Sequence, residues 1–186
     1  MGARRVSRAE AVDTIAHLPA GGARFVGVDG FGGSGKTSFA GLVADAVPDA
    51  VVVHIDDFAG PSVPEWDWER FRAQVLLPLM DGRPARYQRW DWPSDRGAEW
   101  HDIPAGGLVV VEGVSSTRRE VGVPWALTVW VDARSSVRLR RAVERDGPEL
   151  LDRWLTDWMP SEQAYAAREH PQDRVDLVVS GEWQGG

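Results

Sequence analysis

One stretch governs what this chain can become. Residues 24–47 read RFVGVDGFGGSGKTSFAGLVADAV. A run of strand character leads into a glycine-rich loop, and apolar groups at helical spacing follow until Pro48 stops them. The loop contains Gly30-x-x-x-x-Gly35-Lys36-Thr37, with further glycines at 32 and 33. Between a strand and a helix, this spacing has a mechanical meaning. Glycines let successive backbone N–H groups turn inward around a polyphosphate. The helix opening at Lys36 adds the positive end of its dipole. The loop from Gly30 through Gly32, Gly33, Ser34 and Gly35 to Lys36, Thr37 and Ser38 is therefore the expected ATP cradle. Lys36 should reach the β- and γ-phosphates, and the Thr37 hydroxyl should sit on Mg²⁺. Lys36 is also the single lysine among 21 basic residues, the other 20 being arginine. A compact ammonium on a flexible stem fits inside a ring of backbone donors. A planar guanidinium is larger and seeks a bidentate partner.

The rest of the chain repeats the strand-then-helix alternation. Short apolar runs at 24–29, 50–56, 107–113, 126–132 and 175–181 read as strands. Helical spacing appears at 7–18, 36–47, 67–80, 135–146, 148–159 and 161–170. Ser7 is placed to cap the first helix, with Glu10 three residues on. Pro78 is expected to kink or end the third, and Pro160 to divide the last two. Residues 81–104, rich in Pro, Trp, Asp and Arg, predict no regular element. Continuously apolar strands separated by helices imply a parallel sheet covered on both faces. The expected fold is α/β: one three-layer, doubly wound domain over residues 1–186. Ligands in such sheets lie beyond the carboxyl ends of the strands. Those ends are Asp29-Gly30, Asp56-Asp57, Glu112-Gly113 and Asp132.

Composition narrows the partners. A net charge of -7 argues against non-specific binding to nucleic acid or an anionic membrane. With no cysteine, thiolate metal sites and thiol nucleophiles are excluded. No apolar run reaches membrane-spanning length, and the first residues do not read as a signal peptide, so a cytoplasmic location is expected. Nothing in the sequence specifies an oligomeric state. A GTPase would need an Asn-Lys-x-Asp motif, and the one lysine is already in the loop. No Leu-Ser-Gly-Gly-Gln signature of a transport ATPase is present. A small-molecule kinase needs only the loop, an acceptor pocket with a base, and an arginine-bearing lid.

The segments GVDGFGGSGKTSFA, VVHIDDF, LVVVEGV, VWVDARSSVRLRRAVERD and DLVVSG occur in that order between about residues 24 and 181. In this order the chain resembles the uridine kinase-like family, whose relatives include nicotinamide riboside kinase, phosphoribulokinase and bacterial pantothenate kinase. The resemblance implies transfer of the ATP γ-phosphoryl group, with Mg²⁺, to an alcohol. By the same resemblance Asp56 accepts the proton of the substrate hydroxyl; the plainer reading is an aspartate capping a loop. Asp57 either contacts metal-bound water or points away. Glu112 holds magnesium through water, contacts the acceptor or hydrogen-bonds the loop. Arg138, Arg141 and Arg145 match arginines of a lid, here about residues 138–158, that stabilises the transferring group and binds ATP. The acceptor region is about 57–104. There Asp67 takes the place of a ribose-holding aspartate, and Trp90-Asp91-Trp92 resembles a Tyr-Asp-Phe stretch near the base, with Tyr87 and Arg89 beside it. The alternative for these tryptophans is that they anchor a loop to the core. The sequence departs from the family in three respects: Ala59 stands where a tyrosine is usual, the expected histidine is missing, and no β-hairpin insert is evident. A nucleoside is the first acceptor class; a vitamin precursor, sugar or antibiotic is the second. A P-loop ATPase or nucleotide-binding regulator is the third reading.

Overall fold

The computed structural model describes residues 2–60, 66–91 and 94–182. Six parallel strands form one sheet in the order β1-β8-β7-β2-β6-β3. They are β1 (Arg4–Val6), β2 (Arg24–Asp29), β3 (Ala50–His54), β6 (Leu108–Glu112), β7 (Trp125–Asp132) and β8 (Leu177–Ser180). The five apolar runs account for all but β1. That strand is three residues long and mostly exposed, and it exists by pairing Arg4 with Leu177 and Val6 with Val179. No intrinsic pattern marks it.

Burial on both faces explains the apolar runs. On β6, Val109 and Val111 join a cluster with Phe58, Phe71 and Leu79, whereas Leu108 and Val110 join Ile15, Phe39 and Val43 on the opposite face. Polar residues on such a strand would leave one core or the other unfilled.

Helix α1 (Arg8–Ala16) begins as expected: the Ser7 hydroxyl accepts the Glu10 N–H at 3.1 Å. Replacing Ser7 with alanine should cost about 1 kcal/mol in chemical denaturation; an unchanged midpoint would show that the cap contributes nothing. Helix α2 (Lys36–Ala46) follows the glycine loop.

Pro160 acts differently from expectation, and Pro78 does not end its helix. Pro160 does not divide the chain into two helices. Residues 151–169 form one continuous helical path with a π-type turn at Trp154–Trp158. The Met159 N–H there bonds the Trp154 carbonyl, five residues back. The same turn appears at Arg72–Leu76 within the helical path 68–80, where the Leu77 N–H bonds Arg72 just before Pro78. A proline lacks an N–H and crowds the carbonyl four residues back. Widening the preceding turn to five residues absorbs both defects.

Residues 81–104 also hold regular structure. Strands β4 (Ala85–Asp91) and β5 (Arg96–Ile103) form an antiparallel hairpin. Ala85, Tyr87 and Ile103 point into the core, the outer face carries the ion pair Arg86–Asp102, and Arg89 pairs with Glu99 beside the irregularity between Gln88 and Trp90. The expectation of no hairpin here is corrected: the period-two alternation is short, and the charged face masks it.

Candidate active site at the strand ends

The loop after β2 is shaped by what presses on it. Gly33 has φ +71°, and a Cβ there would lie 2.5 Å from the Arg138 carbonyl oxygen. Gly35 stands at the N-cap of α2 with φ +100°, and no side chain caps that helix. Its leading N–H groups are therefore left for an anion. Lys36 is buried, and its Nζ donates to the Phe31 carbonyl at 3.0 Å, folding back across the loop. Thr37 and Ser38 are exposed at the start of α2.

The strand ends supply the acids. Glu112 is buried at the end of β6, where its Oε1 accepts the Thr37 hydroxyl at 3.1 Å and lies 2.5 Å from His54 Nδ1. Burial alone would push its carboxyl up. The His54 hydrogen bond and the Lys36 charge outweigh this and hold it below the ordinary range. The same contact, opposed by partial burial, raises His54. Asp56 lies in the tight turn Ile55–Phe58 after β3. Solvent reaches its side chain, yet protein crowds it, and this crowding followed by the Glu112 charge raises its carboxyl. Because Asp56 is open to water, the like charge of Glu112 is the firmer of the two causes. Lys36 and Arg145 act in the opposite direction on Asp56. The ammonium of Lys36 thus acts on both acids, and the Thr37–Glu112 hydrogen bond joins the start of α2 to the end of β6.

Hard oxygen donors at Thr37 and Glu112 suit Mg²⁺. Among the described residues no cluster of three or more acidic or histidine side chains forms a metal cage.

The three arginines of helix Ser135–Asp146 make different contacts. Arg138 is buried, stacked over the Phe31 ring at 4.5 Å and paired with Glu162 at 3.3 Å. Arg141 donates to the carbonyls of Gly181 at 2.9 Å and Gly33 at 3.3 Å, clamping the loop against the end of β8. Arg145 is the arginine whose charge acts on Asp56 and Glu112. Asp146 grips it through two contacts of 2.6 and 2.8 Å, and also accepts the Trp154 indole N–H at 2.9 Å. Arg141 is thus turned to the loop and the end of β8, and Arg145 is the one whose charge reaches the strand-end acids.

No protein-family model matches the chain, and no curated protein matches it. Solved structures do. A protein from Bacillus stearothermophilus, described provisionally as a uridine kinase, has a TM-score of 0.70 at 20% identity, covering 92% of this chain and 96% of its own. One from Silicibacter sp. TM1040, described provisionally as a fructose transport system kinase, has a TM-score of 0.74 at 18% identity, covering 96% of this chain and 100% of its own. The chain has the P-loop kinase fold.

In this kinase fold the hairpin stands beside the Asp56 turn. Tyr87 stacks between Phe58 and His101, and its hydroxyl donates to Asp57 Oδ2 at 3.0 Å. Asp57, expected either to contact metal-bound water or to point away, is turned to the hairpin. Asp67, expected to hold a sugar, caps helix 68–80: its Oδ1 accepts the Arg70 N–H at 2.9 Å. Arg70 in turn donates to the Asp57 and Gln88 carbonyls. Asp67, Arg70 and Asp57 together join the turn after β3 and helix 68–80 to the hairpin. Arg89 pairs with Glu99 and Asp91. Trp90 is half-buried, with an indole N–H that finds no partner among the described residues. Trp92 lies outside the described residues. Trp66 is a core anchor, donating to the Ser115 hydroxyl. No described helix is long and apolar enough to cross a membrane.

Three residues escape a reading of the sequence: Asp29 as a buried hub, Asp146 as the holder of Arg145, and Glu162 on the loop. Asp29 is visible only as a strand end. Glu162 carries no signal, because Pro160 reads as a boundary two residues earlier.

Proposed function

We propose that the protein is an ATP-dependent small-molecule kinase that transfers the γ-phosphoryl group to an alcohol. The observation that carries this is the meeting of an uncapped helix start, the buried Lys36 and the strand-end acids Asp56 and Glu112 in one place. Loop amides and Lys36 bind the phosphates. Thr37 and Glu112 would hold Mg²⁺, which when bound neutralises phosphate charge. The acceptor hydroxyl faces Asp56, which orients it and takes its proton as transfer proceeds. Arg145, held by Asp146, offsets charge on the transferring group.

The acceptor lies between the Asp56 turn and the hairpin, with Trp90 and Asp91 on its wall. The Trp90 indole ring can stack on a flat base or cover a sugar. A nucleoside is the first candidate, favoured by the uridine kinase-like motif order. A sugar is the second, favoured by the Silicibacter fold neighbour.

The test is an acceptor screen with Mg-ATP, in which ADP and phosphorylated product are measured separately across nucleosides, sugars and vitamin precursors. Product should appear with one class. ADP formation independent of any alcohol would replace this reading with a simple ATPase. Lys36→Ala should weaken Mg-ATP binding by about 10- to 100-fold in calorimetry; equal binding would remove Lys36 from the cradle.

A further inference from the structure

Glu162 is nearly buried and sits on the mouth of the phosphate loop. Its Oε1 accepts the Gly32 N–H at 2.9 Å, and its Oε2 faces Arg138 Nη1 at 3.3 Å. Lys36 is close enough for its charge to act on the same carboxylate. A loop amide, the lid's first arginine and the cradle lysine are three groups that a terminal phosphate would use. A carboxylate and a phosphate cannot both occupy them.

We propose that Glu162 stands in for the terminal phosphate in the free protein, latching the stretch 138–162 onto the loop until a triphosphate displaces it, while Tyr165 keeps the rest of helix 151–169 anchored on Asp29. This rests on the reading of the loop as a nucleotide site.

The contacts are those of a latch that can be released. The Arg138 pair is one contact of 3.3 Å, longer than the roughly 2.7–2.9 Å typical of strong charge-assisted bonds. Arg138 Nε is buried with no partner among the described residues, so the carboxylate leaves a donor unsatisfied. A phosphoryl group, with three oxygens, can engage more of these donors. Burial raises the Glu162 carboxyl even though Lys36, Gly32 and Arg138 all favour its charge. The resting carboxylate is therefore incompletely compensated. Trp154 completes the closed arrangement: a Cβ on Gly32 would meet its ring at 2.7 Å and Glu162 Oε1 at 2.6 Å. The lid thus rests directly on Gly32.

Glu162→Gln is the decisive variant, since it keeps the shape and removes the charge. Calorimetry with Mg²⁺ and a non-hydrolysable ATP analogue should show binding tighter than wild type by about tenfold. Trypsin should cut the nucleotide-free Glu162→Gln and Glu162→Ala proteins faster than wild type at Arg153, an exposed residue of the lid. The analogue should restore protection. Equal or weaker binding by Glu162→Gln, with a lowered melting temperature, would mark a permanent anchor and overturn the latch. Wild type that binds no nucleotide at all would overturn the nucleotide reading itself. Wild type that binds, with Glu162→Gln no tighter, sinks the latch alone.

Discussion

Asp56→Asn should lower phosphoryl transfer by about 10²–10⁴-fold while Mg-ATP binding stays nearly unchanged. The carboxamide keeps the shape of the side chain and can still hydrogen-bond an alcohol, but it has no oxygen able to take the proton. Asp56 stands apart from its neighbours in this respect. Asp57 is engaged by Tyr87, and Glu112 is held by Thr37 and His54. Asp56 alone of these three combines solvent access with the influence of Lys36 and Arg145. A raised carboxyl is also a stronger base when ionised, which suits late proton acceptance. Single-turnover transfer and nucleotide binding, measured side by side, separate the two effects. Transfer by Asp56→Asn at the wild-type rate would mean that the proton leaves by another route.

Asp29→Ala should destabilise the protein by about 4 kcal/mol or more. Asp29 is fully buried beneath the loop and accepts from five donors. Its Oδ1 takes the N–H of Gly30 at 2.7 Å and of Ser115 at 3.0 Å. Its Oδ2 takes the Thr117 N–H at 3.2 Å, the Thr117 hydroxyl at 2.7 Å and the Tyr165 hydroxyl at 2.7 Å. One carboxylate thereby ties the start of the loop, the turn after β6 and the helix 151–169 together. Truncation strands these donors away from water, each at a cost of about 1–3 kcal/mol before relaxation. Tyr165→Phe removes one donor and should cost about 1 kcal/mol. Urea denaturation of both variants tests the hub; an Asp29→Ala protein within about 1 kcal/mol of wild type would show that the surrounding turns satisfy themselves.

The strand ends and glycine loop are legible in the sequence because each is a local pattern. A strand covered on both faces must be apolar along its length, and a phosphate loop needs its glycines in fixed spacing. The motif order likewise points to the kinase fold, although neither the Bacillus nor the Silicibacter neighbour exceeds 20% identity. Strand β1 and the hairpin are not legible, since one lacks a pattern and the other hides its alternation behind charges. Pro78 and Pro160 look like breaks because sequence gives a proline's cost without the π-turn that absorbs it.

The candidate site divides along the same line. The chain's own order determined where the cradle, the acids and the arginines would stand. Which arginine meets Asp56, which aspartate turns to a tyrosine, and which glutamate sits on the loop depend on residues far apart in sequence: Arg145 and Asp56, Asp57 and Tyr87, Glu162 and Gly32. Side-chain charge is written in the sequence, but its partner is chosen by packing. A buried carboxylate must find donors wherever the fold has placed them.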